Sequence, residues 1–154
     1  MKHINKLSWL VTIVLFCGIA TSAFSQTLKD VFSNNKLPIV YLGIDFSKAK
    51  LLDTGDSNDI KNRLYASINQ LIINEPKKFD LKGAFRKDNI DYDFAAVNKS
   101  NAQINENEII STNSADFNRF KEVDIANMVK NLDLAGKTGI GILFVMESMR
   151  KMDK

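Results

Sequence analysis

The sequence predicts an α/β domain, or an α+β domain, in which helices pack on a layered sheet of mixed or partly parallel strands. Two almost continuous apolar runs, residues 39–46 (IVYLGIDF) and 138–147 (TGIGILFVME), are typical of strands buried on both faces. Residues 58–73 and 123–132 lie between these runs and carry apolar side chains at helical spacing. Strands that alternate with helices favour a sheet with parallel pairing.

The first helix is predicted over residues 58–73, because Ile60, Leu64 and Ile68 recur on one face. Pro76 ends this helix, since a proline disfavours helical geometry in the residue before it, Glu75.

The segments between the two helices are predicted to be a strand and a loop. Residues 91–97 (DYDFAAV) begin with an alternation of polar and apolar side chains, which predicts a strand with one exposed face. Residues 98–118 are rich in Asn and Ser and weakly periodic, so we predict a long irregular connection with room for one helical turn.

The second helix is predicted over residues 123–132 from a single apolar face. That face consists of Ile125, Met128, Val129 and Leu132. Gly136 suits the end of this helix, because a glycine accepts the left-handed conformation that often follows a last helical turn.

The second apolar strand is followed by a short, mostly polar stretch, although a strand of this type needs neighbours on both edges. An uncovered apolar edge pairs with any strand that it meets. The sequence therefore predicts either a domain that is incomplete at its C-terminus or a chain that forms a homo-oligomer.

The N-terminus has the three-part pattern of a secretory signal peptide over residues 1–25. A basic start is followed by an apolar run, residues 7–20 (LSWLVTIVLFCGIA), and by small residues that end at Ser25. The run is shorter than the ~20 residues of a membrane span, so cleavage is favoured over an uncleaved anchor. We predict cleavage after Ser25, export to the periplasm or the medium, and one domain over residues 26–154 that has no membrane span.

Cleavage after Ser25 of the 154-residue chain would leave 129 residues, enough for one core. It would also remove the one histidine, the one cysteine and the one tryptophan, which are His3, Cys17 and Trp9. A domain without imidazole or thiol excludes a Ser-His-Asp triad, a cysteine nucleophile, and His or Cys ligands for zinc, copper or iron. No cofactor is predicted.

The charge of the mature domain argues against nucleic acid as a partner. Loss of the two lysines in the leader leaves 19 basic residues against 18 acids, so the net charge falls from +3 to +1. A nearly neutral domain has no overall field that would attract a polyanion. The expected partner is an unknown protein or a component of the cell envelope.

Asp53, Thr54 and Gly55 spell the catalytic tripeptide of aspartic proteases. Such a protease needs two of these aspartates close together, and this chain has one copy followed at once by a helical pattern. We therefore predict a turn at Gly55 and a helix capped by Asp56 or Ser57.

Two further interpretations apply to the same acidic segment. Asp59 adds negative charge beside the positive end of the predicted helix. Asp53, Asp56 and Asp59 are also weak candidates for a Ca²⁺ site, although their spacing is not that of an EF-hand. No metal site is predicted with preference over the helix cap.

Asp45 is the leading candidate for a binding residue, because it lies near the end of a buried-type strand with Ser47 and Lys48 just beyond it. Ligands in open α/β sheets bind outside the carboxyl ends of the strands. Glu147 ends the second apolar strand in the same way, so parallel pairing would place both acids at one edge. The alternative is that a strand reaching solvent simply ends in polar residues.

Two stretches, residues 41–52 (YLGIDFSKAKLL) and 139–151 (GIGILFVMESMRK), resemble a family of small exported bacterial envelope proteins of unknown activity. The resemblance implies an envelope location and supplies no catalytic residues. The leading expectation is thus an exported binding or interaction module that is not an enzyme. The alternative is a carboxylate-based hydrolase that uses Asp45 and Glu147 as its catalytic pair.

Overall fold

The structure is a computed structural model that describes residues 28–52, 55–134 and 136–150. The predicted signal peptide lies outside the described residues, as do Asp53 and Thr54. The described ranges form helices packed on a parallel sheet, which confirms the predicted α/β class.

The elements are named in chain order. The first are α1 (Leu28–Ser33), β1 (Ile39–Asp45) and β2 (Lys50–Leu51). Helix α2 is continuous through a short first turn, a π-helical segment and a regular helix (Ser57–Asp59, Ile60–Leu64 and Tyr65–Asn74). It is followed by α3 (Leu81–Phe85), β3 (Asp91–Tyr92) and α4 (Ala95–Ala102). Two 3₁₀ turns (Glu106–Glu108 and Ser114–Phe117) lead to α5 (Glu122–Asn131), β4 (Ile140–Val145) and β5 (Ser148–Met149).

The main sheet has the strand order β3-β1-β4, and both pairings are parallel. Parallel neighbours require crossover connections, which α2 and α3 supply between β1 and β3, and α4 and α5 supply between β3 and β4. A second, two-stranded parallel sheet joins β2 to β5. Among the described strands, β1 alone therefore has a strand on each side, since β2 has β5 and a single bridge to Ile110.

Helices cover both faces of β1. Ile39, Tyr41, Ile44 and Phe46 lie in the larger apolar cluster together with side chains of α2 and α3. Leu42 points to the other face, where it packs with Val97 of α4 and with Leu132, just after α5. Because successive strand residues face opposite sides of a sheet, these two clusters are the two layers of the core.

A β-bulge interrupts β1 between Tyr41 and Gly43, where the register with β4 shifts by one residue. Gly43 has φ +101°, a conformation that residues with a Cβ rarely adopt. A Cβ at this position would also lie 3.2 Å from Asn69 Oδ1 and 3.2 Å from a ring carbon of Phe94. The bulge thus depends on glycine both for its backbone angle and for the approach of Asn69.

Two buried asparagines bond to the part of β1 that β3 does not reach. Asn69 of α2 accepts from Ile44 N at 2.7 Å and donates to Ile44 O at 3.2 Å. Asn101 of α4 donates to the same carbonyl at 3.1 Å and accepts from Phe46 N at 2.8 Å. The two side-chain amides, which arrive from opposite faces of the sheet, take the place of a neighbouring strand. We call Asn69 and Asn101 the amide pair.

The prediction for the first helix is confirmed, including its ends. Asp56 is the N-cap, and its side chain accepts from Asn58 N at 2.9 Å and from Asp59 N at 3.2 Å. The helix ends at Asn74, with Glu75 as its C-cap just before Pro76. The local rules for helix capping and for proline therefore predict both ends of this helix.

The prediction of a strand over residues 91–97 is wrong beyond Tyr92. Asp93 Oδ1 accepts from Ala95 N at 3.1 Å, and α4 begins there with two alanines, which favour a helix. The predicted irregular connection, residues 98–118, is wrong in its first part, because residues 98–102 complete α4. The alternation of apolar residues spanned a junction between a strand and a helix.

The position of the second helix is confirmed, but half of its predicted inner face is exposed. Met128 and Leu132 are buried, whereas Ile125 and Val129 are each 41% exposed. The helix ends at Asn131, so Gly136 (φ +76°) does not end it and instead belongs to the turn before β4.

Strand β4 has the predicted position but not the predicted burial. It lies at the edge of the described sheet, and Phe144 is 40% exposed. A run of apolar residues therefore marked an edge strand rather than a central one. The described sheet has an open edge at β4, and association of the chain with itself stays a prediction.

Removal of one member of the amide pair should destabilise the fold. Asn69→Ala leaves Ile44 N–H without an acceptor, and a buried unpaired donor costs about 1–3 kcal/mol. We expect urea denaturation to show a loss in this range. Gln70→Ala, on the exposed side of the same helix, is the matched control and should change the free energy of unfolding by about 0.5 kcal/mol or less. Equal effects of the two substitutions would contradict this role for Asn69.

High pH should destabilise the protein through two buried tyrosines. Burial raises the pKa of Tyr65 to about 12. Burial is also the main cause that raises the pKa of Tyr41 to about 12, and the nearby Tyr92 is a smaller one. An unfolded tyrosine ionises near pH 10, so this contribution to stability is complete below about pH 10 and is lost as the pH rises to about 12.

Tyr65→Phe tests this dependence, because the Tyr65 hydroxyl has no hydrogen-bond partner among the described residues. At pH 7 the variant should be as stable as the parent or more stable. Between pH 10 and 12 it should lose roughly 2 kcal/mol less than the parent in urea denaturation. Ser67→Ala, which removes an exposed hydroxyl from the same helix, is the control for loss of a hydroxyl. Parallel stability curves for Tyr65→Phe and the parent would overturn the prediction.

Candidate functional site

The carboxyl ends of β1 and β4 lie side by side, as the sequence predicts for parallel neighbours. Asp45 is in register with Val145, and Met146 N donates to Asp45 O at 2.9 Å. Glu147 follows two residues later, so both predicted acids lie at the same edge of the sheet. Beyond Phe46 the chain turns tightly, with Ala49 N donating to Phe46 O at 2.8 Å. Ser47 and Lys48 occupy the tip of this turn.

Asp45 is buried rather than solvated, with only 1% of its surface exposed. One carboxylate oxygen, Oδ1, accepts from Ser47 N at 2.8 Å. The other oxygen has no hydrogen bond to any residue that the structure describes. A strand end that merely reaches solvent would leave its polar side chain in water, which is not the arrangement of Asp45.

Asp45 lines a cavity of about 470 Å³ between the β1 turn, α4 and the end of α5. A second cavity of about 440 Å³ adjoins it and extends along α5 towards Arg119 and Phe120. Both cavities are lined by Ser47, Lys48, Ile104, Asn105, Glu108, Met128 and Asn131. We call the two cavities together the β1 cleft.

Amides and hydroxyls supply the neutral polar groups of the β1 cleft. They belong to Ser47, Ser100, Gln103, Asn105, Asn127 and Asn131. The apolar part of the lining comes mainly from Ala96, Ile104, Met128 and Leu132. Neutral donors and acceptors above an apolar floor are suited to a ligand rich in hydrogen-bonding groups.

Most charged groups of the cleft are already engaged. Lys99 pairs with Asp133 at 2.8 Å across the larger cavity. Lys50 donates to Glu108 O, and Glu108 accepts from Asn105 Nδ2 at 3.0 Å.

Asp124 and Lys48 also line the cleft, and they differ from one another in this respect. Asp124 is engaged, because its carboxylate accepts from Lys121 N at 2.9 Å and so caps α5. Lys48, which both cavities share, is exposed, and its ammonium has no partner among the described residues.

Glu147 is bound by backbone groups of the protein and does not face the cleft. Its carboxylate accepts from the backbone N–H groups of Arg119 and Phe120. The Arg119 guanidinium donates to Lys48 O and to Asp116 O, and it stacks over the Phe120 ring at 4.6 Å. Glu147 is absent from the described lining of both cavities. The structure therefore brings Asp45, Ser47 and Lys48 together in the cleft and leaves Glu147 behind its wall.

The acidic segment before α2 does not assemble a cation site in the described part of the chain. Asp53 lies outside the described residues. Asp56 caps α2, and Asp59 binds Arg63 through two hydrogen bonds of 2.6 Å. These hydrogen bonds lower the pKa of Asp59. Residues 28–52, 55–134 and 136–150 hold no group of three acidic, His or Cys side chains arranged for a metal.

Sequence reasoning missed the residues that face Asp45 across the cleft. Lys99, Ser100 and Gln103 lie in a segment that was predicted to be irregular, so their common position at the end of α4 was not foreseen. Asn127 and Asn131 lie on the polar side of α5, where an asparagine ordinarily faces water. No local signal distinguishes these residues from other polar surface residues.

Comparison with family models, with curated proteins and with solved structures finds no match to this chain. The class of protein is therefore defined by the fold and the cleft alone: an α/β domain with a polar cleft at the carboxyl end of its central strand. Within the described residues, no helix combines the length and the apolar character that a membrane crossing requires.

Replacement of Glu147 should weaken the wall of the cleft. Glu147→Gln preserves the shape but replaces two charge-assisted hydrogen bonds with neutral ones, which are roughly half as strong. We expect a loss of about 1–2 kcal/mol in the free energy of unfolding. Glu122→Gln, at an exposed position in the first turn of α5, is the control and should cost about 0.5 kcal/mol or less. Unchanged stability of Glu147→Gln would argue against its anchoring role.

Proposed function

We propose that this protein is an exported binding module, not an enzyme, and that its ligand enters the β1 cleft. The observation that carries the proposal is Asp45, a buried carboxylate with one oxygen that no described residue engages. Burial of such a group is costly unless a partner compensates it. A ligand in the cleft supplies that partner.

The surroundings of Asp45 favour recognition over hydrolysis. A carboxylate-based hydrolase needs two carboxyl groups facing one substrate, at about 5–9 Å from one another. Glu147, the second acid of that alternative, is engaged by the Arg119 and Phe120 backbone outside the cleft. The other acids beside Asp45, Glu108 and Asp133, are exposed and bound to Asn105 and Lys99.

The export part of the proposal rests on the leader sequence, which has the pattern of a cleaved signal peptide. An exported domain that lacks His and Cys has few routes to catalysis but retains every group needed for polar recognition. The ligand is accordingly a soluble or envelope-borne molecule outside the cytoplasm.

The proposal is tested by ¹⁵N-¹H NMR titration of residues 26–154 with short peptides, free amino acids and small neutral oligosaccharides. We expect at least one of these probes to shift the amides of Ser47 and Lys48. Asp45→Asn should weaken that binding at least tenfold while the variant stays folded. Asp88→Asn, which removes an exposed acid near the amino end of β1, is the matched control and should bind like the parent.

Two outcomes would reject the proposed function. One is the absence of shifts around the β1 turn with every probe. The other is Asp45-dependent cleavage of a probe, which would identify a hydrolase.

A further inference from the structure

Asp45 lacks a counter-charge within the described part of the chain. The carboxylate is 1% exposed, and its one hydrogen bond comes from a neutral backbone N–H. The lysine that is nearest in sequence, Lys48, forms no ion pair with it. A buried charge is stable when it is paired, and an open cavity leads to this one. The missing partner is therefore best supplied by a cationic group of the ligand.

The cleft carries the opposite charge at its mouth. Lys48 lines both cavities and is exposed, and it has no described partner, whereas Lys50 and Lys99 are already bound to groups of the protein. Asp45 is thus the buried anion of the cleft, and Lys48 is its one cation without a described partner, while the exposed Glu108 and Asp124 accept hydrogen bonds from neutral groups. Complementarity to this arrangement requires a ligand with a positive end and a negative end.

The lining of the cavity that holds Asp45 and Lys48 suits the backbone of a peptide. The side-chain amides of Gln103 and Asn131 can each donate and accept, as a peptide group does. The amide pair shows the same chemistry inside this protein, where two asparagines bond to the N–H and C=O groups of β1. A cavity of about 470 Å³ lies in the range that accommodates small organic ligands.

We infer that the ligand is a short peptide with free ends, bound with its terminal ammonium on Asp45 and its terminal carboxylate towards Lys48. This inference rests on the proposed function, because it names the ligand of the same cleft.

The experiment uses calorimetry at low ionic strength with four tripeptides: trialanine, N-acetyl-trialanine, trialanine amide and the doubly capped form. We expect trialanine to bind best. Acetylation should weaken binding at least tenfold, because it removes the ammonium that pairs with Asp45. Amidation should weaken binding about three- to tenfold, because an exposed lysine contributes less than a buried pair.

Two variants test which side chain of the protein binds each end of the peptide. In Asp45→Asn, trialanine and its acetylated form should bind alike, and in Lys48→Gln, trialanine and its amide should bind alike. Lys82→Gln, at an exposed lysine of α3 outside the cleft, is the control and should keep the full discrimination. The capped peptides test the inference on the unaltered protein even where Asp45→Asn fails to fold.

The outcomes separate this inference from the proposed function. Equal binding of free and capped peptides, or binding of a neutral trisaccharide such as cellotriose in place of trialanine, would overturn the inference while the cleft remained a binding site. Absence of binding by every probe, with no shift at Ser47 or Lys48, would overturn both.

Discussion

The amide pair holds the backbone of β1 where β3 no longer reaches it, and the rest of the fold is arranged around that contact. Strand β3 pairs with β1 at Val40 and Tyr41 alone, so the N–H and C=O groups farther along β1 need other partners. Asn69 and Asn101 supply these partners from opposite faces of the sheet. An unpaired buried donor or acceptor costs about 1–3 kcal/mol, so this one contact outweighs any single exposed ion pair of the molecule.

The same contact fixes the position of the cleft. Asn69 and Asn101 bond to Ile44 and Phe46, the two neighbours of Asp45. Phe46 also stacks on Tyr65 with ring centroids 4.2 Å apart. The carboxylate thus projects from a backbone held on both sides, before any ligand arrives. Preorganisation of this kind reduces the entropy that binding would otherwise cost.

The sequence predicts much of the fold and little of the cleft, for physical reasons. Patterns that repeat over many residues identify β1, β4, α2 and α5, and the Asp56 cap follows from local hydrogen bonding. The strand predicted over residues 91–97 was too long, because the strand that forms there, β3, has only two residues. Two residues are too few to show a repeating pattern. The role of Asn69 depends on a contact 25 residues away along the chain, and that of Asn101 on one 57 residues away, which no local pattern encodes. The position of Asp45 at the end of β1 was predicted because a strand end is a local feature, whereas the residues that face it across the cleft belong to a distant helix.

The burial of Asp45 distinguishes it from the polar residues that merely end strands. A hydrogen bond from Ser47 N accounts for one oxygen, and an asparagine could accept that bond equally well. The second oxygen, with its charge, has no structural use among the described residues, yet the fold retains it inside. A costly group that a rigid scaffold keeps without need for stability supports the proposal that Asp45 recognises a ligand. The amide pair stabilises the backbone on both sides of Asp45, so the second carboxylate oxygen is not needed for that task.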